Sequence, residues 1–71
     1  MTQERAEELM MKDVPVKCKG IEYRGIDSVI IRKKDGKRYI QIALLDKGGN
    51  SITIDVASAV EEIKQEVEIP F

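Results

Sequence analysis

The stretch Ile26-Asp27-Ser28-Val29-Ile30-Ile31-Arg32-Lys33-Lys34-Asp35-Gly36-Lys37-Arg38-Tyr39-Ile40-Gln41-Ile42-Ala43-Leu44-Leu45 decides the fold. Its first limb is rich in β-branched residues, which suit a pleated, half-buried strand. Asp35-Gly36 is the dipeptide that favours a two-residue type I′ turn, because both central residues of that turn take positive φ. Such a turn fixes the register: Lys34 faces Lys37, Lys33 faces Arg38, Ile31 faces Ile40 and Val29 faces Ile42. Val29, Ile31, Ile40, Ile42 and Leu44 then share one face, and Ile26, Ile30, Tyr39, Ala43 and Leu45 share the other. A hairpin apolar on both faces needs a strong bend, as in a small barrel, or a cover on its second face. Leu9 and Met10 are one candidate cover; a partner protein is the other.

Working outward, Lys47-Gly48-Gly49-Asn50 reads as a turn and Ser51 to Val56 as a strand. Alternation there predicts Ile52, Ile54 and Val56 inward, with Ser51, Thr53 and Asp55 outward. Upstream, Val14, Val16 and Cys18 alternate with Lys17 and Lys19, again a half-buried strand. Gly20 and Gly25 bracket a bend or short strand at Ile21-Glu22-Tyr23-Arg24. Residues 2–11 are good helix formers with Thr2 at the N-cap position and a narrow apolar stripe at Ala6, Leu9 and Met10. Pro15 ends that helix before Val14. Residues 57–69 close the chain with a turn followed by a strand or a short helix; hiding an open sheet edge favours a strand from Val60.

The predicted architecture is one domain over residues 1–71, mainly β and bordering on α+β. It consists of a helix at 2–11, antiparallel strands within 14–56 and the closing segment at 57–69. The layout is a small bent antiparallel sheet or a barrel of four to five strands. Val14-Pro15-Val16-Lys17-Cys18, the Asp35-Gly36 hairpin, and Ser51-Ile52-Thr53-Ile54-Asp55-Val56 with its Ala57-Ser58-Ala59 turn resemble a small SH3-like, or Sm-like, barrel preceded by a helix. The chain also resembles short proteins carried on prophages and conjugative elements of Gram-positive bacteria. Neither resemblance transfers a functional residue: the signature residues of Sm RNA-binding loops are absent.

Composition narrows the chemistry. The 71 residues include no His, no Trp and one Cys. Without His the commonest general base and metal ligand is missing, and one Cys can form neither an internal disulfide nor a Cys-based zinc site. No cofactor and no enzymatic activity are expected. No stretch is long and apolar enough for a membrane-spanning helix, and Met1-Thr2-Gln3-Glu4 is too acidic for a secretion signal. The expectation is a cytoplasmic protein with no membrane contact.

The net charge of −1 conceals segregation. Residues 1–11 carry a net −2, residues 12–38 a net +5, and residues 39–71 a net −4. The basic middle supplies the candidate surface for nucleic acid or an acidic partner: Lys17, Lys19, Arg24, Arg32, Lys33, Lys34, Lys37, Arg38 and Tyr39. Its plainer reading is a solvated hairpin tip whose lysines discourage edge aggregation. Ile26, Ile30, Tyr39 and Leu45 form the candidate self-association surface. Cys18, aligned with Val14 and Val16, reads as a small core hydrophobe. The expected function is a non-enzymatic interaction module that binds protein, itself included, through an edge strand or the apolar outer face. The alternative is a nucleic-acid-binding small barrel that uses the 32–38 hairpin.

Overall fold

A computed structural model describes residues 1–63. Among these, helix α1 (Gln3–Lys12) precedes six strands: β1 (Val16–Cys18), β2 (Ile21–Tyr23), β3 (Gly25–Lys34), β4 (Lys37–Leu45), β5 (Ile52–Val56) and β6 (Val60–Glu62). A 3₁₀ turn at Ala57–Ala59 joins β5 to β6. The strands form two three-stranded antiparallel sheets, ordered β2-β1-β6 and β3-β4-β5, rather than one closed barrel. Only Arg24 separates β2 from β3, and its N–H donates to the Leu45 carbonyl at 2.9 Å. The mainly β architecture and the single short helix agree with the sequence reading. The strand at Val60 agrees too; the remainder of the closing segment, 64–69, lies outside the described residues.

Local chemistry explains most boundaries. The Thr2 hydroxyl accepts from the Arg5 N–H at 3.2 Å and so caps α1. Asp13 ends the helix in the left-handed conformation, with its N–H on the Met10 carbonyl. Ala6 and Leu9 are buried and Met10 packs beside them, the predicted stripe. Asp35 and Gly36 have φ of 51° and 77°, and the expected register holds for all four predicted pairs from Lys34↔Lys37 to Val29↔Ile42. Lys19 and Gly20, at φ 50° and 81°, make the same kind of two-residue turn between β1 and β2.

Two strand faces differ from expectation. The β3–β4 register jumps between Ile26 and Ser28, so Asp27 is the extra residue of a β-bulge. The bulge pairs Ile26 with Leu44 and turns Ile26 into the core, where it is 6% exposed. Ile26 therefore does not belong to the outer face predicted for it, because unbroken alternation assigns the wrong side upstream of a bulge. In β5, Thr53 pairs with the fully buried Leu44 and Asp55 with the fully buried Ile42. Ile52, Ile54 and Val56 consequently point outward, at 51%, 51% and 43% exposure, the reverse of the predicted pattern.

The core gathers Ala6 and Leu9 from α1, Val16, Cys18 and Val60 from one sheet, and Ile26, Ile42 and Leu44 from the other. The helix thus lies on the inner face of β3-β4, beside Val29 and Ile40, and leaves the outer face uncovered by Leu9 and Met10. A deletion tests the bulge. Removing Asp27 should leave Ile26 opposite Leu44 and cost only about 1 kcal/mol, with a cooperative thermal melt retained in circular dichroism. Loss of the folded spectrum would show that Asp27 does more than fill the bulge.

Candidate functional site

The outer face of β3-β4-β5 carries Tyr39, Ile52, Ile54 and Val56, four of the seven exposed large hydrophobic residues among those described. Strand alternation from the register places Ile30, Gln41, Leu45, Ile52, Ile54 and Val56 on it, with Tyr39, Arg32, Lys34 and Lys37 toward the hairpin tip. Tyr39 is 37% exposed and Ile30 and Leu45 are half-buried, whereas Ala43 fills the centre almost completely buried. Of the predicted self-association residues, Ile30, Tyr39 and Leu45 lie here and Ile26 does not. The missed members are Ile52, Ile54 and Val56. Their alternation marked them as a set, but the side they face depends on the turn that precedes them.

That turn is built by Asp46. Its carboxylate accepts from the Asn50 N–H at 2.9 Å and the Ser51 hydroxyl at 2.7 Å. These bonds, the Ser51 hydroxyl first, hold the Asp46 carboxyl below the usual aspartate value. The Asp46 N–H donates to the Ser51 carbonyl at 3.0 Å. In an antiparallel ladder, hydrogen-bonded and non-hydrogen-bonded pairs alternate. The backbone groups of Thr53 and Asp55 therefore face β4, and those of Ile52, Ile54 and Val56 face the open side. Among the described residues β5 is the edge of its sheet. Its last outward N–H, on Val56, is taken by the neighbouring Asp55 Oδ1 at 2.8 Å. Gln41 Oε1, between Ile30 and Val56, is buried without a partner among the described residues.

Asp55 is the counterweight on the inner side. Its Oδ2 lies 2.9 Å from Lys19 Nζ and 3.7 Å from Cys18 Sγ, tying β5 to the β1–β2 turn of the other sheet. Lys19, followed by the Val56 N–H, holds the Asp55 carboxyl below its usual value. Burial, then Asp55, pushes the Cys18 thiol up, away from the thiolate form that nucleophilic chemistry needs. No group of three or more potential metal ligands occurs among the described residues. No helix there is long and apolar enough to cross a membrane.

The structure divides the predicted basic surface. Lys17 sits across from Glu22 on one side and Glu61 on the other, and Lys19 is paired with Asp55. The Arg24 guanidinium lies against Gly49 in the β4–β5 turn. These three residues are thus not gathered with the hairpin. Arg32, Lys33, Lys34, Lys37 and Arg38 remain together, and no ion pair among the described residues includes them. Arg32, Lys34, Lys37 and Tyr39 share the outer face, while Lys33 and Arg38 point to the other side. No protein-family model, curated protein or solved structure matches the chain.

Proposed function

We propose that this protein is a non-enzymatic interaction module that binds protein, and first of all a second copy of itself, through the β5 edge and the apolar outer face. One observation carries the reading: Ile52, Ile54 and Val56 each turn an exposed apolar side chain to one sheet face, and Ile52 and Ile54 turn their backbone groups to an edge that is open among the described residues. Single exposed apolar residues are ordinary, but a contiguous set on an edge strand is the usual ground for strand addition. The pattern is symmetric about Ile54, so an antiparallel pairing of two β5 strands sets Ile54 opposite Ile54 and Ile52 opposite Val56. Such a contact is isologous and closes at a dimer. It joins the two outer faces into one six-stranded surface and sends the two basic hairpin tips to opposite ends, out of mutual repulsion.

Because Arg24 alone links β2 to β3, the two sheets can be followed as the halves of one SH3-like barrel, β6-β1-β2 continuing into β3-β4-β5. In that layout β5 lies at one end of the strand order, where a partner strand has access. Sedimentation equilibrium over a wide concentration range tests the proposal. Mass should rise from the 8.0 kDa monomer toward twice that value. Ile54→Lys should return it to the monomer with the circular dichroism spectrum unchanged, since Ile54 is outside the core. A wild-type chain that remains monomeric throughout, or an Ile54→Lys chain that still dimerises, overturns the reading.

A further inference from the structure

The cations of this chain are sorted by the fold. Arg5 pairs with Glu8 and Glu62, Lys12 with Glu8, Lys19 with Asp55 and Lys47 with Glu22. The hairpin cations have no such partner among the described residues, and they oppose one another across the strands as Lys34↔Lys37 and Lys33↔Arg38. Like charges placed directly opposite destabilise a hairpin. Nothing in the core requires them: every residue from Ile31 to Tyr39 is exposed.

The shape of this segment is as specific as its charge. β5 ends at Val56, opposite Gln41, so beyond that point β4 has only β3 beside it. Beyond Ile31↔Ile40, where Ile40 still packs against the core, the structure is a two-stranded ribbon, with about 7 Å of strand before the turn at ~3.3 Å per residue. Arg32, Lys34 and Lys37 emerge from one face and Lys33 and Arg38 from the other. Asp35 at the tip is its one acid. Thr2, Gln3 and Glu4 border the groove beside Arg38 and Ile40 at the ribbon's root, so the acidic helix begins where the ribbon leaves the body.

We infer that the β3–β4 ribbon is a DNA-binding prong that enters the major groove of a duplex. A ribbon charged on one face alone would suit a flat anionic surface. Charge on both faces suits a slot walled by phosphates on both sides, and the B-form major groove, about 12 Å wide and about 8.5 Å deep, admits a two-stranded ribbon. The deep, narrow major groove of A-form RNA does not. The contacts are to phosphates, so the binding is electrostatic and salt-dependent and independent of base sequence. This inference is separable from the self-association surface: Arg32, Lys34 and Lys37 share its face, but Lys33 and Arg38 do not, and Ile52, Ile54 and Val56 take no part in the ribbon.

The test is fluorescence anisotropy of the full chain with a labelled mixed-sequence DNA duplex, titrated at several salt concentrations. Five phosphate contacts give a log–log salt slope of about −4.5, so a fourfold rise in salt weakens binding roughly 500-fold. Lys34→Gln with Lys37→Gln, and separately Lys33→Gln with Arg38→Gln, should each reduce the slope by roughly two. Lys34→Glu separates binding from folding, because it should raise the melting temperature by pairing with Lys37 while weakening DNA binding. The inference is overturned by no duplex binding at low salt, or by a slope that only one face's substitutions change. It is equally overturned by tighter binding to single strands or duplex RNA, or by equal binding to anionic vesicles or to an acidic polypeptide.

Discussion

Leu44→Ala should leave most of the protein unfolded at room temperature, while Ile54→Ala should be nearly silent in dilute solution. Leu44 is fully buried on the middle strand of its sheet, between Ile26 of β3 and Thr53 of β5. Truncating such a leucine costs about 2–5 kcal/mol, with the larger values where the surroundings cannot collapse into the cavity. A chain of this size draws only about 3–5 kcal/mol from its core, so the substitution removes most of the margin. Ile54 is half exposed at an edge, and changes there stay within about 0.5 kcal/mol. Urea titration followed by circular dichroism reads both. The contrast is diagnostic because alternation within 51–56, taken alone, makes Ile54 a core residue. Equal losses for the two variants would mean that β5 presents its other face to the core.

The same contrast shows where sequence reasoning stops. The hairpin register was legible because Asp35-Gly36 is local chemistry: two residues with positive φ fix every pair up to Val29↔Ile42. The helical stripe was legible for the same reason. The face of Ile26 was not, because one extra residue at Asp27 reverses the side on which everything upstream emerges, and nothing in Ile26-Asp27-Ser28 marks it as the bulge rather than as ordinary strand. The face of β5 was hidden for a different reason. It is set by the span of the Asp46–Ser51 turn and by Asp55 meeting Lys19, 36 positions away in the chain. Periodicity identifies which residues stand together and leaves open which way they face. The candidate site follows the same rule. The basic run from 32 to 38 was visible as composition, but only tertiary contacts remove Lys17, Lys19 and Arg24 from it. Likewise only the cross-strand register divides the remaining five cations between two faces of one ribbon.

Acid should unfold the protein, and Asp55 should govern a large part of that transition. Asp55, Asp46, Glu8 and Glu62 all have folded-state values below their ordinary ones. A carboxylate with a depressed folded value contributes stability that is fully present above its unfolded value, about 3.9 for Asp and about 4.3 for Glu. That contribution is lost as pH falls through the folded value. Stability should therefore be level from neutral pH down to about 5 for these groups and fall steeply below about 4. Glu8 and Glu62 are half exposed and paired at the surface, where solvent screening makes such pairs weak. Asp55 differs in kind: its side chain is 19% exposed, it faces the inner side of the sheet opposite Ile42, and it joins the two sheets through Lys19. The same cluster sets the alkaline limit. The raised Cys18 and Lys19 values mean stability present below their unfolded values, about 8.5 and about 10.4, and lost as pH rises from there toward the folded ones. Asp55→Asn should lower the melting temperature at pH 7, flatten the decline below pH 4, and weaken the alkaline decline by removing the charge that raises both partners. Thermal melts of the two proteins from pH 2 to pH 12 read all three effects. Parallel curves, differing only by a constant offset, would show that Asp55 serves as a packing residue and that its charge does not hold the sheets together.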